Sequence, residues 1–137
     1  MAQTDWVFSI ESKIYTIIKT RLLKANPNIF VTQEQRLNDT ANLPSVFIKM
    51  LDSPEIGADL EGSTINAMLV TFETHITVTK DMGLSGMRRI SAQVLEQFKK
   101  LRFQMTTRGE ITRETTDTYV SIARYRRVIG GEEEINF

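Results

Sequence analysis

The stretch NAMLVTFETHITVTKD, residues 66–81, decides the fold. Met68, Val70, Phe72, Ile76 and Val78 alternate with Thr71, Glu73, His75, Thr77 and Thr79. A period of two sends successive side chains to opposite faces of a strand, so one face is apolar and the other polar. The polar face carries the only histidine of the chain, and Glu73 stands beside it at i, i+2. Two readings of that pair follow: an acid–base centre, or the wet face of a strand that meets something larger.

Working outward, SVFIKML (45–51) is apolar on both faces except at Lys49, as expected of a central strand or one covered on its second side. DSPEIGADLEGST (52–64) contains Pro54, Gly57 and Gly62 and no periodicity, so it reads as a long loop. The two strands and this loop form a hairpin with an extended tip. Upstream, NIFVTQE (28–34) is a short strand followed by a polar connection. The first segment has Thr4 or Asp5 as N-cap, with Val7, Ile10, Ile14, Ile17, Ile18 and Leu22 at helical spacing. Asn26-Pro27 ends that helix.

Downstream, Gly83 and Ser85 set the turn into MRRISAQVLEQFKKL, whose Met87, Ile90, Val94, Phe98 and Leu101 mark a second amphipathic helix. RFQMTT (102–107) and TYVSIARYRRVIG (118–130) are two more strands, with the turn between them at RGE or RETTD. GGEEEINF reads as a flexible tail. The expected fold is α+β over residues 1–130, in the order α-β-β-β-α-β-β. Its two helices pack on one face of a mostly antiparallel sheet.

The 137 residues suit one domain, and 41% hydrophobic with 25% charged residues argues against general disorder. No apolar run reaches the ~18 residues of a spanning helix, and no basic-then-apolar leader opens the chain, so a cytosolic, soluble protein is expected. Zero cysteines exclude disulfides, thiolate metal sites and a thiol nucleophile. Net charge is zero but unevenly spread. Residues 1–79 hold 6 Lys/Arg against 9 Asp/Glu, residues 80–129 hold 11 against 5, and the tail adds three glutamates. Such a dipolar subunit suits contacts in which acidic and basic sides of neighbours meet.

Chemistry is sparse. Only His75 can serve as an imidazole base, and no G-x-S-x-G elbow accompanies it. Glu73 and His75 are too few ligands for a metal, and no H-E-x-x-H exists. Asp52, Glu55, Asp59 and Glu61 make the long loop acidic without EF-hand spacing. That leaves solvent or a docking partner as their role. GLSG lacks the lysine and spacing of a phosphate loop. ARYRR (123–127) is the densest basic cluster: Arg124 and Arg126 share one strand face, Tyr125 and Arg127 the other. It fits an exposed strand, a protein contact through Arg and Tyr anchors, or a nucleic-acid contact. The residues favour no catalysis and require no cofactor.

LRFQMTT after an amphipathic helix, then a threonine-rich segment and TYVSIARYRRVIG, resembles the end of tail terminator (tail completion) proteins of long-tailed bacteriophages. There a helix is followed by an F-x-x-T strand, and the last strand closes on an aromatic-flanked R-Y-R cluster. The order of elements over residues 5–130 is similar too, as is the long loop between the second and third strands. Arg127 stands where many relatives have a glycine after R-Y-R. The resemblance implies a structural virion protein, not an enzyme. Its subunits close into a hexameric ring that caps the tail tube, ends its polymerisation and offers a surface to the head. The implied partners are copies of itself, the tail tube protein, and a head-completion or connector protein. DNA would only pass through the channel, and no membrane is involved. The implied location is the tail–head junction of the virion, with assembly in the host cytoplasm. The long loop and Ala123 to Arg127 match family segments. With Glu73 and His75 they form the candidate subunit or partner interface. A neck or head-completion protein on the portal side, and a nucleic-acid-binding module using Arg124, Arg126 and Arg127, are the alternatives.

Overall fold

A computed structural model describes residues 6–33, 43–56 and 67–130. The chain is α+β, with two helices and a mixed sheet of seven strands. Helix α1 spans Trp6–Ala25, and β1 (Phe30–Thr32), β2 (Ser45–Met50), β3 (Glu55–Ile56) and β4 (Ala67–Thr79) follow. Helix α2 spans Gly83–Lys100, and β5 (Gln104–Thr107), β6 (Ile111–Arg113) and β7 (Thr118–Gly130) complete the described chain. The main path of the sheet is β1-β2-β4-β7-β5, with β3 paired to β4 and β6 to β7. All pairings are antiparallel except β1 with β2.

The opening stretch is the spine of this sheet. β4 pairs with β7 along its whole length, from Ala67↔Gly130 to Thr79↔Thr118. Met68, Val70, Phe72, Ile76 and Val78 are all buried, as the period-two pattern predicts. They face the helices together with Val46 and Ile48 of β2 and Ala123, Tyr125 and Ile129 of β7. The helical spacing of the first segment holds as well: Ile10, Ile14, Ile17, Ile18 and Leu22 are buried. α1 and α2 lie side by side, α1 toward β2 and α2 over β4 and β7.

The centre of the core is aromatic. Phe98 of α2 stacks flat on Tyr125, centroids 4.3 Å apart and planes 2° from parallel. Phe103 meets Phe98 edge-on at 5.4 Å, and Phe72 lies 5.9 Å from both. Each such pair contributes about 0.5–1.5 kcal/mol beyond the burial of its area.

Two local devices fix how α2 joins the sheet. Gly83 opens the helix at φ +64, a left-handed conformation that glycine adopts without strain. At the other end Arg102 takes φ 65. Its N–H donates to the Lys99 carbonyl (2.9 Å), and that of Phe103 donates to Phe98 O (3.0 Å). These bonds make a Schellman stop, and the Phe98–Phe103 ring contact is its hydrophobic clasp.

The sheet corrects three expectations. Residues 52–64 are not loop throughout: Glu55 and Ile56 pair with Met68 and Ala67. Four residues between the β2 and β3 pairings oppose three on β4, so the hairpin continues past a one-residue bulge. RGE and RETTD are both turns, because β6 lies between them. The sheet therefore has seven strands where five were expected. The N-cap at Thr4 or Asp5, the tip of the 52–64 loop and the tail 131–137 lie outside the described residues.

Candidate functional site

The helices cover one face of the sheet, and among the described residues no helix lies against the face that carries Glu73 and His75. Register decides what stands there. Lys49 of β2, Glu73 of β4 and Arg124 of β7 are direct cross-strand neighbours, so their side chains rise in one row. The Arg124 Nε–H donates to Glu73 Oε2 at 2.8 Å. His75 Nε2 lies 2.6 Å from Glu73 Oε1, and Lys49 Nζ lies 3.9 Å from that oxygen. Phe47, opposite His75, meets the imidazole edge-on with centroids 5.2 Å apart.

Glu73 is only 6% exposed on a face without helices. The long side chains of its neighbours wall it in. Burial pushes its carboxyl up, but the hydrogen bonds and positive charges of His75 and Arg124 outweigh that and hold it below its ordinary value. Both Glu73 oxygens are engaged, so the carboxylate ties together side chains from three strands. Among the described residues, no group of three or more His, Asp or Glu is placed to hold a metal ion.

Around the row the face is mixed. Ile122 is 40% exposed and Val128 52% exposed, and both point the same way as Arg124. Thr71 and Thr77 extend the polar column of β4, and Arg126 stands opposite Thr71, exposed. Among the described residues this is a surface with apolar spots set in charge.

The sequence-predicted residues separate on the structure. Glu73, His75 and Arg124 come together, and Arg126 shares their face. Tyr125 does not belong to a surface anchor: it is 2% exposed under Phe98, and burial pushes its hydroxyl up to about 12. Arg127 also turns to the helix side, where its guanidinium donates to the Leu101 carbonyl at 2.8 Å and caps the end of α2. Burial and the charge of Arg102 lower its pKa. The basic cluster is thus split between two faces by the strand's alternation. Asp52 and Glu55 are exposed at the bulge and on β3, while Asp59 and Glu61 lie outside the described residues. Lys49 and Phe47 are members that sequence reasoning left out. Their signal was present, since Lys49 is the single charge in an apolar strand, but the pairing register was needed to place it beside Glu73.

No helix among the described residues is long and apolar enough to cross a membrane. No protein-family model matches the chain, and comparison with curated proteins returns no match.

Proposed function

We propose that the chain is a structural assembly subunit that closes into a ring on a phage tail tube, ends its polymerisation and presents a docking surface to the head. The observation that carries this reading is the open sheet face. A two-layer domain with helices on one side leaves a broad strand surface whose exposed Ile122 and Val128 flank the Lys49–Glu73–Arg124 row. Apolar spots inside a pattern of fixed charges suit protein recognition, where the charges set register and the apolar groups supply area. The C-terminal pattern of α2, β5 and β7 supports the phage assignment through its resemblance to tail terminators. The uneven charge of the chain suits contacts between unlike sides of identical subunits.

The nucleic-acid reading has less support. Arg124 is exposed but paired with Glu73, and Arg127 donates to the end of α2, so two of the three arginines of the cluster are already engaged within the chain. Neutralising several phosphates needs several such charges on one surface.

Electron microscopy of tails from a phage strain lacking this protein is the direct test. Tails of irregular length with unfinished head-proximal ends are expected. Tails of normal length with normal ends would refute the proposal.

A further inference from the structure

Two surfaces of the described chain combine exposed apolar side chains with charges of opposite sign. Ile56 is 39% exposed on β3, next to the exposed Glu55, and Asp52 is exposed at the bulge just before them. From Met50 through Thr79 the sequence has no lysine or arginine, so this corner of the sheet is acidic and apolar. On β7, the exposed positions Ile122, Arg124, Arg126 and Val128 form one stripe of alternate residues. It runs ~20 Å at strand rise and reads apolar, basic, basic, apolar. The carboxylate nearest to it, Glu73, has both oxygens bonded inside the charge row, and Arg124 reaches it through Nε–H. Among the described residues, neither Arg126 nor Asp52 nor Glu55 has an ion pair.

From this complementarity we infer that the two surfaces meet between copies. The Asp52, Glu55 and Ile56 corner of one subunit docks on the Ile122–Val128 stripe of the next. Its carboxylates accept from Arg126 and from the outer side of Arg124, and Ile56 adds apolar area against Val128. Register keeps the charges apart within one chain. Glu55 stands opposite Met68, in the row that continues to the buried Ile129, and so rises on the helix side. Arg126 stands opposite Thr71 on the other face. The exposed Leu84 with Arg88 and Arg108 is a second basic and apolar surface, but Glu110 lines it as well. A further carboxylate brought there meets a like charge, which the β7 stripe does not offer. Nor does the stripe suit itself, because two copies meeting stripe to stripe would set arginine on arginine. Corner and stripe are different surfaces, so the contact is heterologous and repeats from subunit to subunit. The inference rests on the ring reading and deepens it by naming the contact that links neighbours.

The chain has no cysteine, so single thiols can be introduced without background. The test uses full-length Ile56→Cys, Val128→Cys and Leu84→Cys variants, mixed in pairs under mild oxidation, with one member of each pair tagged to mark the mixed disulfide dimer. The Ile56→Cys/Val128→Cys mixture is expected to cross-link faster than either variant alone, at a rate that falls as salt is raised. Adding Arg126→Glu to the Val128→Cys partner should cut that rate about tenfold, and adding Asp52→Lys and Glu55→Lys to the Ile56→Cys partner should restore it. Restoration by the second reversal shows that the first did not simply unfold the subunit. Faster capture of Val128→Cys by itself, preferential capture of Leu84→Cys, or no mixed dimer at the highest soluble concentration would each overturn the inference. So would a rate that the charge reversals leave unchanged. None of these outcomes bears on tail length in the strain lacking the protein, so the corner contact and the ring reading fail separately.

Discussion

Glu73 shows how one side chain can be costly to bury and still stabilise. Its carboxylate sits under a layer of long side chains, and His75 and Arg124 hold it ionised below its ordinary value of 4.5. The unfolded chain therefore binds this proton more readily than the folded one, and stability rises with pH across that window. The contribution is fully present above pH 4.5 and is lost as pH falls through the lower folded value. Urea denaturation from pH 7 down to pH 3 should show a decline that Glu73→Gln flattens, with the variant about 1–2 kcal/mol less stable at neutral pH. At Arg102 the expectation has the opposite sign. A left-handed backbone costs a side-chain-bearing residue roughly 1 kcal/mol, and this one also lies near the like charge of Arg127. Arg102→Gly should raise the midpoint of urea denaturation by about 0.5–1 kcal/mol in free-energy terms without changing its slope.

Elements were legible where their periodicity was long. α1, α2 and β4 each present many turns or pleats to a core, and the apolar residues that the sequence pattern names for them are buried. Tyr15, Glu73, Thr74 and Gln97 are buried as well, outside that pattern. Thr74 lies among the apolar side chains of β4, fully buried, and its hydroxyl has no hydrogen-bond partner among the described residues. The short strands were not legible, because two or three residues carry no period. β3 exists through its pairing with β4, and β6 through its pairing with β7. The candidate site was half legible for the same reason. Alternation along one strand puts Glu73 next to His75 and separates Arg124 from Tyr125. Which residue of β2 or β7 stands opposite Glu73 depends on register, which loop lengths and the bulge at residues 51–54 set and composition does not. The aromatic junction between α2 and the sheet is the part most exposed to truncation. Phe98 is fully buried, stacks on Tyr125 and closes the helix stop through Phe103. Phe98→Ala should cost about 3–5 kcal/mol, measured by calorimetry or urea denaturation, because the three remaining rings of Phe72, Phe103 and Tyr125 cannot collapse into the space left behind.

At the scale of the whole molecule the two faces of the sheet differ in kind. One is a core closed by two helices. The other is a fixed pattern of charges and apolar spots, with its central carboxylate locked in place by strands from both sides. In the proposed assembly that rigidity would favour contact in one orientation, because the side chains of the row lose little freedom when a neighbour arrives.

The thirteen-residue ladder between β4 and β7 also has a consequence for the timing of synthesis. Its two strands are separated by α2, β5 and β6, and Thr79 finds its partner only when Thr118 has been made. The earlier half of the chain can form α1, the β1–β2 pair and the β2–β4 hairpin, but Phe72 and Val78 have no completed sheet to sit on. Ribosomes add residues from the N-terminus at roughly 5–20 per second, so several seconds pass in which the spine strand lacks its main neighbour. For those seconds an apolar strand edge is open to other nascent chains. Because β7 completes the sheet, its arrival both builds the subunit and ends the period in which the chain is most prone to pair with the wrong strand.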